Sequence, residues 1–367
     1  MRIIVFFKNL CIIIVILLML VVTANAQINS YIPANKDEIP SVLAMLLAEG
    51  RSNYERIRTW QGEADFTVDI IYRSAAAERV FHEKTEGKGE IPQSVRKRKV
   101  GNIQFVADFV KGHVYENLHR PNPVQYTEVE TGRDLGTKSP LPWHTVSVIT
   151  PEHLTQSAPS VYDGPSIKSR RAIREAPKRD TANILSGVFD PRECFGAGGV
   201  VWKTLPRLIQ RFEEEGKFSV GEYDLEVKER VQGANIDYCI KIPLKSSETY
   251  VFATMVFSGK KGFNIISYEI TTQDEKLFQK LSWEYELVDG VYLPSKTGKK
   301  NFDYKAGHLR YQEEFVLRNH KLNKTIPEET FTHKNLGLKD GDIFIDEIMN
   351  KEYRYEAATK KLKTIDK

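Results

Sequence analysis

Hydrophobic side chains occupy every second position over long stretches of this 367-residue chain. In the first such stretch Ala64, Phe66 and Val68 alternate with Asp65 and Thr67. A period of two is typical of a half-buried antiparallel strand, with one face on the core and the other in water. The same pattern predicts further strands at 80–84, 103–110, 114–118, 223–227, 236–242, 251–257, 263–270, 281–287, 291–293 and 309–317. We therefore expect about ten or eleven strands joined mainly by short turns.

Two segments show the period of an amphipathic helix instead. Residues 37–59 carry an apolar stripe that is interrupted at Gly50, which predicts two short helices before the first strand. Residues 202–215 carry a second stripe, which ends at Gly216. A parallel sheet would need a crossover after each strand, and the short turns leave no residues for crossovers. The pattern therefore predicts an α+β fold that is mainly antiparallel β, with an apolar side that two helical segments alone are too small to cover.

The segment 120–191 differs from the rest of the chain. It contains nine of the 16 prolines and has little periodicity. Basic residues crowd around a single carboxylate, Glu175; they are Lys168, Arg170, Arg171, Arg174, Lys178 and Arg179. Charge runs of this kind are usually solvated loops, and a patch for anionic lipid or for a partner is the alternative. We predict that residues 121–200 form an insertion, partly loop, across the strands.

The first 26 residues have the three parts of a secretory signal peptide. Arg2 and Lys8 are positive, residues 10–22 are apolar, and residues 24–26 form a small-x-small cleavage site. An uncleaved membrane anchor is the alternative, but the apolar run is shorter than the roughly 20 residues that span a bilayer. We expect a mature chain that starts near Gln27 and works in the periplasm or outside the cell.

The overall composition excludes some classes of function. With 41% hydrophobic residues, the chain has enough apolar material for a sizeable core. Its formal net charge of +4 is too small to indicate a nucleic-acid partner. The two cysteines beyond the signal segment, Cys194 and Cys239, form one disulfide or remain separate thiols, and their spacing does not decide between these.

The sequence has no recognisable catalytic or metal-binding motif. Its eight histidines are scattered, and the nucleophile-elbow, Walker and His-Glu-x-x-His patterns are absent. The glycine-rich stretch 196–199 precedes a predicted helix, where it forms an anion site or a flexible junction. A pair of catalytic carboxylates that meet only in space would leave no such signal. We expect no cofactor and no metal, and an enzyme ranks behind the non-enzymatic functions.

The order of these elements resembles a known superfamily. An N-terminal helix is followed by the segment 54–62 (YERIRTWQG), a long meander, a central helix and more strands, which is similar to the LolA/LolB-like lipoprotein-sorting carriers and receptors. The closing segments 290–295 (GVYLPS) and 326–331 (IPEETF) are similar to uncharacterised exported bacterial proteins. The resemblance covers residues 37–120 and 200–332.

This resemblance implies a fold and a way of binding. The fold is a strongly curved, incomplete β-barrel, a half-barrel with helices covering the open side, and acyl chains are held between sheet and helices. We accordingly predict one curved-sheet domain at 27–332, interrupted by the insertion, and a C-terminal hairpin and tail at 333–367. The insertion and the tail depart from the compact carriers.

Two functional hypotheses follow. In the first, the protein is a non-enzymatic periplasmic binder of an acyl chain or another apolar ligand, with a role in lipid or lipoprotein trafficking to the outer membrane and transient contact with the membrane surface. In the second, it is an envelope scaffold that binds a protein partner and fills its core with its own side chains. Period-two faces supply the expected cavity residues, namely Phe66, Val68, Phe105, Phe252, Met255 and Trp283.

Overall fold

The computed structural model describes residues 31–85, 89–120, 124–138, 143–159, 169–175, 191–196, 198–246, 249–303 and 305–365. These residues form a mainly antiparallel sheet with a few helices, so the predicted fold class is confirmed at that level. The proposed signal segment, 1–26, lies outside the described residues. None of the described helices is long and apolar enough to cross a bilayer.

The helices are few and short. They are α1 (Ile39–Glu55), α2 (Ala75–Thr85), α3 (Pro191–Cys194) and α4 (Leu205–Glu215). A 3-10 turn, Lys36–Glu38, precedes α1, and a π-helical turn, Val200–Thr204, precedes α4. Helix α4 ends at Gly216, whose φ of 68° is the left-handed conformation that closes many helices.

The strands of the first half are β1 (Ile32–Pro33), β2 (Thr59–Arg73), β3 (Ser94–Asp108), β4 (His113–Arg120), β5 (Val124–Glu128), β6 (Asp134–Lys138), β7 (Trp143–Ile149), β8 (His153–Pro159) and β9 (Ser169–Glu175). Those of the second half are β10 (Ser219–Val220), β11 (Tyr223–Asp224), β12 (Glu226–Gln232), β13 (Asn235–Ser246), β14 (Thr249–Ser258), β15 (Asn264–Thr272), β16 (Leu277–Val288), β17 (Val291–Phe302), β18 (Leu309–Leu322), β19 (Ile343–Asp346), β20 (Lys351–Glu356) and β21 (Lys361–Thr364).

Most strands pair with their neighbours in sequence. Strand β1 pairs with β12, and from β12 to β18 each strand pairs with the next one. Strand β18 also pairs with β2, which joins the two halves of the chain. Strand β2 pairs with β3, which pairs with β5 along its first part and β4 along its last. From β4 the sheet continues through β7, β8, β9, β19, β20 and β21. The contact of β9 with β19 is the only parallel pairing among the described strands.

Helices α1 and α4 pack on one side of the sheet, here called the helix-facing side. Two apolar clusters lie there, one around Trp60 and Phe105 and the other around Met255, and Leu47 of α1 contacts both. The opposite side, here called the outer side, is covered at β4 and β7 by the C-terminal strands. Phe344 of β19 is fully buried in that contact.

The prediction of two short helices before the first strand is wrong, because α1 continues through Gly50. A Cβ atom at this position would lie 2.9 Å from Cγ2 of Val201, in the turn before α4. Glycine is therefore used here for close helix packing and not as a helix terminator. Asp289 and Gly290 form the turn between β16 and β17, where both residues have positive φ, of 50° and 78°.

The strand predicted at 80–84 is also wrong, because these residues belong to α2. Ala77 and Phe81, four residues apart, are buried on one face of that helix. A short apolar run is compatible with a strand or with a helix. Here the alanines at 75–77, which have a high helix propensity, favour the helix.

The segment 121–200 contains more sheet than predicted. Its described part includes five strands, β5 to β9. The backbone of Arg170, Arg171 and Arg174 lies in β9, which pairs on both edges, so these residues are in a strand and not in a loop. Lys168, Lys178 and Arg179 lie outside the described residues. The division into a domain, an insertion and a tail remains a prediction.

Candidate functional site

Five of the six predicted cavity residues lie on the helix-facing side. Phe66, Val68 and Phe105 belong to the first apolar cluster, Met255 belongs to the second, and Trp283 packs against the second. The four cluster members are at most 7% exposed, whereas Trp283 is only partly buried. Whether any of them binds a ligand remains a prediction.

Phe252 lies on the outer side, so its grouping with Met255 needs correction. The two residues are three positions apart on β14, and the ladder has no bulge between them. An odd spacing on a regular strand places side chains on opposite faces. Phe252 instead lines an outer-side cavity of about 720 Å³, beside Lys241, whose Nζ lies 4.6 Å from the centre of the Phe252 ring.

The first cluster is filled by the protein's own aromatic rings. Trp60 and Phe105 meet edge to face at 5.2 Å, and Phe105 contacts Phe195 at 5.6 Å. Phe195 in turn packs on Phe315 at 5.2 Å. These separations are typical of well-packed aromatic pairs. This end of the helix-facing side is therefore a solid core.

A β-bulge in β18 places a histidine inside this core. Asn319 adopts a positive φ of 58°, and the register with β2 shifts between Arg318 and Lys321. His320 thereby turns inward, where its Nδ1 accepts a hydrogen bond of 3.0 Å from Trp60 Nε1. A nitrogen that accepts carries no proton, so the second nitrogen, Nε2, carries it and faces Glu286 Oε1 at 3.2 Å. Burial lowers the pKa of His320, which keeps the ring neutral.

Sequence reasoning missed His320. Its position breaks the alternation of β18, and a residue type that often adopts positive φ, Asn319, stands just before it. That asparagine is the one signal in the sequence, and it is too common to identify a bulge by itself.

A group of three cations lies next to Phe66 and Val68, at the other end of the same strands. We call it the basic margin, and it consists of Lys97, Lys99 and Arg120. Lys99 pairs directly with Val68 across β2 and β3, and Lys97 pairs with Ile70. Because paired residues share a face, the lysines lie on the helix-facing side.

Gly101 allows Arg120 to join this group. A Cβ atom at Gly101 would lie 2.8 Å from Arg120 Cγ and 2.7 Å from Phe66 Cζ. The missing side chain thus lets the stem of the arginine and the phenylalanine ring approach the same point on β3. Cationic and apolar groups are therefore adjacent here.

Lys99 is half-buried and makes no hydrogen bond or ion pair with any described residue. Burial lowers the pKa of its ammonium group, and the positive charges of Lys97 and Arg120 lower it further. A partly buried ammonium group among like charges is under electrostatic strain, which a bound anion relieves. The basic margin is therefore suited to an anionic group whose apolar part lies on Phe66 and Val68.

Other kinds of chemistry find less support. Within the described ranges, no three His, Cys, Asp or Glu side chains are close enough together to hold a metal ion. Cys194 and Cys239 are not joined by a disulfide, and burial raises the pKa of the Cys239 thiol. A protonated thiol is a poor nucleophile.

Comparisons with known proteins give structural neighbours only. No family model and no curated protein matches the sequence. A DUF1329 family protein from Desulfovibrio piger shares 9% identity at a TM-score of 0.37, covering 80% of this chain and 97% of that one. A LolA superfamily protein from Nitrosomonas europaea shares 9% identity at a TM-score of 0.31, covering 79% of this chain and 96% of that one. A third neighbour, from Vibrio parahaemolyticus, is described as an outer membrane lipoprotein-sorting protein domain. It shares 9% identity at a TM-score of 0.36, covering 79% of this chain and 97% of that one. The neighbours thus include the superfamily that the sequence resembles.

Proposed function

We propose that this chain is an exported, non-enzymatic protein that binds the acyl chain of an anionic amphiphile, a lipid or a lipoprotein, and carries it in the cell envelope. The observation that supports this most directly is Lys99, a half-buried ammonium group without a carboxylate partner among the described residues, directly across from Val68. In this proposal the sheet is the half-barrel that the resemblance implies, with α1 and α4 on its open side.

Both parts of such a ligand find matching groups. The acyl chain would lie along Phe66, Val68 and Ile70, where each buried methylene is worth about 0.8 kcal/mol. The negative group would lie among the cations of the basic margin, where partial burial strengthens the attraction. Carriage would require transient contact with a membrane surface, with delivery to the outer membrane as the expected route.

Charge reversal at Lys99 tests the proposal. Lys99→Glu should weaken binding of a fluorescent anionic fatty acid by at least about tenfold, because loss of an attraction and gain of a repulsion exceed about 1.4 kcal/mol. The variant should fold, since its new carboxylate lies near Lys97 and Arg120. Fluorescence titration measures the affinity, and circular dichroism confirms the fold.

Lys300→Glu is the matched control for this test. Lys300 is an exposed lysine that points to the outer side, next to Lys280 and Gln312 on the neighbouring strands. The Lys300→Glu variant should bind the fatty acid with the same affinity as the wild type. An equal loss in both variants would mean that net charge controls binding, and absence of binding by the wild type would refute the proposal.

The aromatic packing supports a second candidate function. Because Trp60, Phe105 and Phe195 fill the first cluster, the helix-facing side has a solid core that needs no ligand for stability. In that case the protein is an envelope scaffold that binds a protein partner. Mass spectrometry of an organic extract of the native protein distinguishes the two, since a carrier should release a stoichiometric lipid and a scaffold should not.

Export is the part of the proposal that rests on residues 1–26. The positive start, the apolar run and the small-x-small site should direct cleavage near Ala26. N-terminal sequencing of the mature protein should therefore begin at or close to Gln27. Recovery of chains that retain Met1 in a membrane fraction would show that the segment is an anchor instead.

A further inference from the structure

Three arginines lie on the outer side of the sheet where β2 and β3 pair. Arg96 and Arg98 alternate along β3 with the lysines of the basic margin, so they point to the opposite, outer side. Arg73 of β2 pairs with Ser94, which is two positions before Arg96 and shares its face. Side chains placed diagonally across a ladder in this way are within reach of each other when they are long. We call Arg73 and Arg96 the outer arginine pair.

The third arginine, Arg98, shows how such a group is paired at this place. Its Nε and Nη2 each donate a hydrogen bond of 2.8 Å to the carboxylate of Asp69, which is fully buried. Two parallel bonds of this kind are the typical contact between an arginine and a carboxylate. Gln312 Nε2 donates a further bond of 2.8 Å to the same carboxylate. Asp69 therefore already has three donors.

The outer arginine pair lacks a partner of this kind. The Nε atoms of Arg73 and Arg96 are buried, and neither has a hydrogen-bond partner among the described residues. Two carboxylates act on the pair electrostatically, Asp69 on Arg96 and Glu130 on Arg73. The first is held by Arg98, and the second accepts a hydrogen bond from Ser94 Oγ. Since buried donors without an acceptor cost stability, an acceptor from outside the chain would stabilise this place.

The arrangement of donors indicates which acceptor fits. Two guanidinium groups on neighbouring strands repel each other, and an anion between them relieves the repulsion. Thr127 pairs with Arg96 from the β5 side, and its partly exposed hydroxyl group adds a neutral donor. A carboxylate has only two oxygens, whereas a phosphate group has enough oxygens for both planar guanidinium groups and the hydroxyl group. Phosphate therefore matches the donors better.

We propose that the outer arginine pair binds a phosphate group on the outer side of the sheet, with Thr127 as a third donor. This site and the basic margin lie on opposite faces of the same part of β3, so that this end of the sheet is cationic on both sides. Free phosphate and the phosphate of a lipid headgroup offer the same chemistry. The inference goes beyond the proposed function and does not depend on it, because the acyl chain would lie on the other face.

The first test follows the Nε–H signals of Arg73 and Arg96 by NMR, in protein that carries isotope-labelled arginine, during titration with inorganic phosphate at neutral pH. The single variants Arg73→Lys and Arg96→Lys assign the two signals. Both signals should shift and saturate in the wild type, because the bound phosphate accepts hydrogen bonds from these groups. Absence of a shift in both would overturn the inference, and this readout does not require any variant to retain the binding.

The double variant Arg73→Lys/Arg96→Lys separates a built site from diffuse positive charge. It keeps both charges but loses the paired N–H donors, so its affinity for inorganic phosphate should fall at least about fivefold in isothermal titration calorimetry. Circular dichroism checks its fold. Wild-type affinity in this variant would overturn the inference, because charge alone would then be sufficient.

Cosedimentation with phosphatidylglycerol vesicles identifies the source of the phosphate group. If it belongs to a lipid headgroup, Arg73→Gln/Arg96→Gln should bind vesicles at least about tenfold more weakly than the wild type. Arg51→Gln/Arg207→Gln is the matched control, since it removes the same charge from exposed positions on α1 and α4. Equal losses in both double variants, or no vesicle binding, would assign the site to free phosphate. Fatty-acid binding should be unchanged in Arg73→Gln/Arg96→Gln, so the proposed function succeeds or fails separately.

Discussion

Replacing Phe105 by alanine should lower the free energy of unfolding by about 3 to 5 kcal/mol, the usual cost of deleting a fully packed phenylalanine. The ring is 1% exposed and packs between Trp60 and Phe195. Its tip lies over Gly62, where a Cβ atom would be only 2.8 Å from Phe105 Cζ. Neighbours this close are unable to fill the space that alanine leaves, so a cavity term adds to the lost burial. Urea unfolding, with an unchanged dependence on denaturant, measures the loss.

Phe252→Ala is the matched control. Phe252 is also largely buried, at 8% exposure, but it borders the outer-side cavity and contacts Tyr223 at 5.1 Å. Because open space already exists beside the ring, its removal should cost less than half as much as that of Phe105. Equal losses at the two sites would contradict the view that the helix-facing side is solid and the outer-side cavity is open.

The wild-type protein should lose about 4 kcal/mol of stability between pH 5 and pH 9 through Glu116, at 1.36 kcal/mol for each unit of pKa difference. The pKa of Glu116 rises from an ordinary 4.5 to about 8 on folding, because burial penalises the charged form. The folded state therefore holds this proton more tightly than the unfolded state. The contribution is complete below the unfolded pKa and is lost as the pH rises through 8.

Glu116→Gln should remove this decline, because a glutamine has no proton to lose. The variant should be less pH-sensitive than the wild type above pH 5 and more stable than it at pH 9, as measured by urea unfolding in a series of buffers. Glu213→Gln, an exposed glutamate of α4, is the control and should follow the wild type. A parallel decline in Glu116→Gln and wild type would show that another group is responsible.

The period-two pattern predicted the second half of the sheet well. Strands β12 to β18 are long and regular, and their alternation is strong because one face lies on α1 and α4 while the other is in water. The same argument did not work for 121–175, where the C-terminal strands cover the outer side of β4 and β7. Val146 and Ser147 point to opposite faces of β7, and both are buried. Where both faces are covered in this way, the alternation of buried and exposed positions is lost, and so is the sequence pattern that depends on it.

The site was predictable only where register is regular. Phe66, Val68 and Phe105 fell on the expected side because β2 and β3 pair without interruption over 15 residues. Phe252 did not, because it lies three positions from Met255 on a regular strand and therefore faces the opposite side. Glu116 gave no signal, because a glutamate in a mixed sequence such as 113–120 is normally read as solvent-exposed. Its burial depends on packing between distant segments.

The closure of the ladder between β2 and β18 has a consequence for how the chain folds. These strands pair through residues such as Phe66 and Phe315, about 250 positions apart in sequence. Strand β9 likewise pairs with the distant strand β19. Contacts over such separations form late, and they make folding slow. A ribosome or a translocation pore that releases the chain from its N-terminus delivers β2 long before its partner. The protein thus lacks a complete core until β18 has emerged, and one edge of β2 stays unpaired until that moment.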